Sequence, residues 1–162
     1  MFSNSTFEET CFLLWNGRLP RAVELETFSK QLRESAALPP QVIQFIELMP
    51  HTSNPMDMLR TVASLLATFD MNPEKSPEAN LGRAVQLTAR FPTIVATFHR
   101  LRQNLPPVAP NPELSHAANF LYMLSGKEPT KAEARTMDAA LVLHADHEMN
   151  ASTFACLVTA ST

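Results

Sequence analysis

The 162 residues carry 13 Lys and Arg against 16 Asp and Glu, a net charge of −3, with the basic residues scattered rather than striped, which excludes an electrostatic nucleic-acid surface. Apolar residues make up 45% of the chain, enough for one ordinary core, yet no apolar run reaches the roughly 18 residues of a membrane span. The amino terminus, Met1-Phe2-Ser3-Asn4-Ser5, has no basic stretch ahead of an apolar one and so no secretory signal. Two cysteines and eight methionines suit a reducing cytoplasm better than a disulfide framework.

Apolar spacing is helical almost throughout and never alternates for long, so the fold class is all-α, with about eight helices in a single domain. The pattern Ser5-x-x-Glu8 predicts a capping box that starts the first helix, and Asn16-Gly17 its stop. Cys11, between Thr10 and Phe12, reads as a small buried residue. Pro20 opens a second helix with Leu25, Phe28 and Leu32 on one face, and Pro39-Pro40 breaks it. Val42, Ile43, Phe45, Ile46 and Met49 make a short apolar helix. The next runs from Pro55 to Phe69, burying Leu59, Val62, Leu65, Leu66 and Phe69.

Met71 to Pro77 reads as a surface loop. Leu81, Ala84, Leu87, Phe91, Ile94, Phe98 and Leu101 then recur at helical intervals, and Pro92 among them predicts a kink or a restart. Leu105 to Pro112 holds four prolines in eight residues and reads as a stiff connector. Helices at about 112–125 and 130–148 follow, the later one opened by Thr130-x-x-Glu133. A last helix begins near Asn150 and is still in progress at Thr162.

The chemistry concentrates in Leu143-His144-Ala145-Asp146-His147-Glu148-Met149-Asn150-Ala151-Ser152-Thr153-Phe154. Two imidazoles, two carboxylates and an amide occupy the seven positions 144–150. On a helix, His144, His147 and Glu148 would share an arc of roughly 100°. Such polar groups need a partner or a ligand wherever they are buried. A histidine on a helix is more often structural than functional, and a metal pair is the second alternative. The zincin pattern needs His-Glu-x-x-His, however, and Glu148 is followed by Met149 and Asn150; Cys11 and Cys156 form no Cys-x-x-Cys. No metal is expected. Asp146 and Glu148 sit within one turn and cannot face each other across a substrate, so a glycosidase-like pair is rejected.

This string resembles the substrate-site segment of citrate synthases, in the smaller bacterial form shared with 2-methylcitrate synthases. Phe7-Glu8-Glu9-Thr10 to Leu19-Pro20, Pro55-Met56-Asp57 to Arg60-Thr61, and Ala118-Asn119-Phe120-Leu121-Tyr122-Met123-Leu124 agree in the same order, so the resemblance covers nearly the whole chain. It implies part of the large helical domain of that fold, with oxaloacetate and an acyl-CoA as substrates, no cofactor, and a homodimer in the complete protein. It also implies that His147 hydrogen-bonds oxaloacetate, work for which an imidazole N–H is suited near neutral pH. Arg60 matches an arginine that contacts substrate, and a guanidinium fork holds a carboxylate in bidentate fashion. The family often has His where this chain has Asn54. His144 and Asn150 are expected to support the site: Asn150 by capping the next helix, His144 by a backbone hydrogen bond that orients the turn.

Condensation needs a carboxylate base and donors for the enolate and ketone oxygens. By resemblance the family draws one donor from a Gly-Pro-Leu-His-Gly-Gly-type segment, and a second His and an Asp from further downstream. Here the glycines are at 17, 82 and 126, and none of the five histidines is flanked by glycine. The chain therefore contains no catalytic residue of that set, reads as an internal piece of the N-terminal half of such an enzyme, and is expected to be inactive alone. The alternative is a non-catalytic helical module that associates with a full-length synthase subunit.

Overall fold

A computed structural model describes residues 5–70, 72–146 and 151–160. Among these are eight α-helices, one 3-10 turn and no strand, in line with the all-α expectation.

Thr6, extended, starts Phe7–Asn16 (α1). Its hydroxyl accepts from Glu9 N–H at 3.2 Å while the Glu9 carboxylate accepts from Thr6 N–H at 2.9 Å. The capping box is thus Thr6/Glu9, one residue later than the Ser5/Glu8 expected, because Glu8 is buried and engaged elsewhere. Gly17 ends α1 in the left-handed region, φ 68°. Ala22–Ser35 (α2) and Pro40–Leu48 (α3) follow, the latter with Pro at its first position. Asn54 caps Pro55–Leu66 (α4) through Met56 N–H at 2.8 Å, and Ala67–Phe69 tightens into a 3-10 turn. Met58, rather than its neighbour Leu59, is the fully buried residue of the first turns.

Pro77–Arg102 (α5) is one helix of 26 residues that continues through Pro92. Of the kink or restart expected at Pro92, the restart does not occur, because α5 is the axis of the domain and packs against α2, α3 and α4. Val85 and Ala89 join Cys11, Phe12, Phe28 and Leu32 in one apolar cluster; beyond Pro92, Ile94 and Phe98 join Val42, Ile46, Val62 and Leu66 in another. Burial of side chains such as Ile94 and Phe98 at about 1.5–3 kcal/mol each outweighs the one backbone hydrogen bond that proline removes. Leu81 and Leu87, expected on the buried face, are exposed, since α5 turns a different stripe toward α1 and α2. Between the clusters, Thr93 Oγ1 donates to the Ala36 carbonyl at 2.8 Å.

His116–Ser125 (α6) begins later than expected, after Ser115, because Asn111 pairs with Asn119 on both sides and holds 111 in the connector (N–H to Oδ1 3.0 Å, Nδ2 to carbonyl 3.1 Å). Buried Arg100 ties the connector and α6 together through the carbonyls of Pro106 at 2.6 Å and Leu124 at 3.2 Å. Lys131–Leu143 (α7) carries the Thr130/Glu133 capping box as read from sequence, but ends five residues earlier than the expected 148. Ala151–Ala160 (α8) completes the set. No helix of the described residues is long and apolar enough to cross a membrane.

Candidate functional site

The end of α7 explains the early stop. His144 leaves the helix with φ −106° and ψ 4°. Its Nδ1–H donates to the Ala140 carbonyl at 2.7 Å, and its backbone N–H reaches the same oxygen at 3.2 Å. A carbonyl accepts only, so the neutral ring carries its proton on Nδ1 and keeps a lone pair on Nε2. The ring thus gives the Ala140 carbonyl a second donor beside the His144 N–H at the helix end. Residues 144–146 are not helical, and Glu148, expected to share an arc with His144, lies outside the described residues. His147 and Asn150 lie outside the described residues.

His144 lines a cleft of about 380 Å³ between α1 and α7, walled by Phe7, Cys11, Trp15, Thr88 and Leu141. Burial, and then the charge of Glu8, push the Cys11 thiol up to about 12, so it is no nucleophile near neutral pH.

Arg60 sits in the second turn of α4, its side chain 77% exposed, donating to Asp57 Oδ1 at 2.9 Å. That pair uses one edge of the fork and contributes about 0–1 kcal/mol, leaving N–H groups for a carboxylate. α4 packs on α3 and α5, whereas α7 packs on α1 and α6. Close helix packing therefore does not bring Arg60 and His144 together directly.

Two polar groupings escaped the sequence reading. Where α1, α6 and α7 meet, Asp138 Oδ1 accepts from Phe7 N–H at 2.8 Å and its Oδ2 from Arg135 Nη1 at 2.6 Å. Glu8 Oε1 accepts from His116 N–H at 3.0 Å. The His116 ring stacks on Phe7 with centroids 4.9 Å apart. Burial lowers its pKa to about 4, against a smaller upward pull from Asp138. No local pattern links residues 108 and 131 positions apart. The second grouping, Arg83, Gln86 and Arg90, follows one side of α5. Its signal was the polar spacing 83, 86, 90, hidden beneath the apolar periodicity.

The pattern of helices has counterparts in known proteins. A family model described as "Citrate synthase, C-terminal domain" matches residues 1–162. This chain belongs to the citrate synthase family. The citrate synthase of Deinococcus radiodurans is 46% identical over 159 residues, covering 98% of this chain and 42% of that protein. The 2-methylcitrate synthase of Mycobacterium tuberculosis is 40% identical, over 97% of this chain and 40% of its own length. The crystal structure of citrate synthase from Thermotoga maritima superposes with a TM-score of 0.83 at 32% identity, covering 99% of this chain and 41% of that one. The chain thus spans about 42% of the length of the Deinococcus citrate synthase.

Proposed function

We propose that this chain supplies part of the oxaloacetate site of a citrate synthase-type acyltransferase, in which the acyl group of acetyl-CoA or a related acyl-CoA becomes an alkyl group on transfer. Arg60 and His147 contact the dicarboxylate, and His144 and Asn150 shape the turn between α7 and α8. The observation that carries this reading is the His144–Ala140 bond. It lies where α7 ends at Leu143, at the start of the non-helical residues 144–146. Arg60 supports it with an exposed fork only partly engaged by Asp57. One arginine does not neutralise two carboxylates, so the rest of the substrate wall and the acid–base groups come from outside these 162 residues. The complete enzyme is proposed to act as a homodimer.

The reading is tested in a chimera of the Deinococcus citrate synthase whose aligned 159 residues are replaced by this chain, with release of CoA as the assay. The isolated chain should release none above a heat-denatured control, and the chimera should be active. Arg60→Ala and His147→Ala should each weaken oxaloacetate binding by about 1–3 kcal/mol. An active chimera whose oxaloacetate KM is unchanged by both substitutions would refute the site assignment.

A further inference from the structure

The cleft between α4 and α5 holds a group that the fold leaves unsatisfied. Arg90 lines this cleft with a guanidinium that makes no hydrogen bond or ion pair among the described residues; its Nε is shut off from solvent, which leaves the terminal Nη groups to meet a ligand. Seven residues are nearly two helical turns, so Arg83 and Arg90 lie about 20° apart around α5 and about 10 Å apart along it, with Gln86 between them. Arginine side chains are long enough to converge across that distance.

Arg83 is held in place. Its Nε donates to the Asp70 carboxylate, its Nη1 to Asn80 Oδ1 at 2.9 Å and its Nη2 to the Asn72 carbonyl at 2.6 Å. Three of its five N–H groups are used, and two remain. Across from α5, Ala63, Leu66 and Ala67 form the other wall, and the small alanines leave about 140 Å³. A cleft of that size has room for one phosphoryl group. The side-chain charge is two guanidiniums against Asp70, so the cleft keeps a positive excess.

We infer that this cleft binds a phosphate group, with Arg90 as the principal ligand and Arg83 and Gln86 as flanking donors. Donors on three separate side chains suit a tetrahedral oxyanion, whose oxygens point in several directions, better than a planar carboxylate. The phosphate is free or is the terminal group of a monoester whose remainder lies over the open mouth. Neither Arg60 nor His144 lines this cleft, so the inference stands independently of the proposed condensation site.

The test uses the whole chain with inorganic phosphate at constant ionic strength. The Nε–Hε resonance of Arg90 should shift saturably, and equilibrium dialysis should give one phosphate per chain. Arg90→Gln should lower the affinity at least about tenfold, the loss of one charge-assisted contact. Gln86→Glu should do the same without altering helical content, because Gln86 is exposed and the new carboxylate repels the anion. Lys30→Gln, on the exposed side of α2, should bind as the parent does. If Arg90→Gln does not fold, the parent's Arg90 resonance and Gln86→Glu decide the matter. Glycerol 3-phosphate in place of inorganic phosphate separates the two sources: tighter binding assigns the site to monoesters, weaker binding to the free ion. No saturation below about 10 mM of either, or parent-like affinity in the foldable variants, would overturn the inference.

Discussion

Replacing Asp138 by alanine removes two acceptors at once. Asp138 Oδ1 takes the N–H of Phe7, the first residue of α1, which has no acceptor within its own helix. Oδ2 takes Arg135 Nη1. The residue is only 8% exposed, so water does not fully replace the lost bond. A hydrogen bond to a charged acceptor contributes about 1.5–3 kcal/mol, and a carboxylate at a helix start adds about 0.3–1. Asp138→Ala should therefore cost about 2–4 kcal/mol. In a domain of this size that corresponds to a melting temperature roughly 4–16 °C lower. Asp138→Asn keeps an oxygen for Phe7 and loses the charge, so it should cost about 1 kcal/mol. Arg135→Ala should cost no more, because that guanidinium is 43% exposed. Urea unfolding followed by circular dichroism gives the three values, provided the denaturant slope is unchanged. A loss of under about 0.5 kcal/mol in Asp138→Ala, or equal losses in the Ala and Asn variants, would refute the reasoning.

The His116 pKa near 4 lies below the ordinary 6.5, so the unfolded chain binds the proton more readily than the folded one. Stability from this group is complete above pH 6.5 and falls as pH drops toward 4, by about 3 kcal/mol in all. Urea titrations across that range should show the slope flatten in His116→Phe, and an unchanged slope would assign it to other groups. Gly126→Ala should destabilise by about 1–3 kcal/mol, since φ is 74° and a Cβ would sit 3.1 Å from Arg100 Nη1. Gly17→Ala shares the positive φ but meets nothing within 4 Å, and should cost only about 1–2 kcal/mol. Equal melting temperatures for the two would show that the Arg100 contact relaxes freely.

Local chemistry was legible where the deciding groups are neighbours. Thr130 and Glu133 form their box because nothing else claims either side chain. In Ser5-Thr6-Phe7-Glu8-Glu9 two overlapping boxes are equally good by pattern. The outcome depends on His116, whose N–H takes Glu8 and leaves Thr6 and Glu9 to cap. Pro92 shows the same limit, since local rules forecast a break and only the clusters on either side of it explain the continuity. The stop at Leu143 is accompanied by a side chain folding back onto Ala140, which periodicity does not register. Arg60 became a candidate through resemblance, whereas His144 stood out in the polar cluster at 144–150. An orphaned N–H such as that of Arg90 is a property of the packed molecule alone.

Two helix starts in this domain are finished by carboxylates from other helices: Asp138 of α7 serves Phe7 of α1, and Glu8 of α1 serves His116 of α6. During synthesis, α1 leaves the ribosome long before residue 138 exists. Its first turn waits, with Phe7 N–H hydrated, until 131 further residues have been added. The first of these eight helices to be made is thus among the last to have its start secured. A nascent chain halted before α7 would keep Cys11 and Phe12 packed on α2 and α5 and leave only the first turn of α1 frayed and open to proteases.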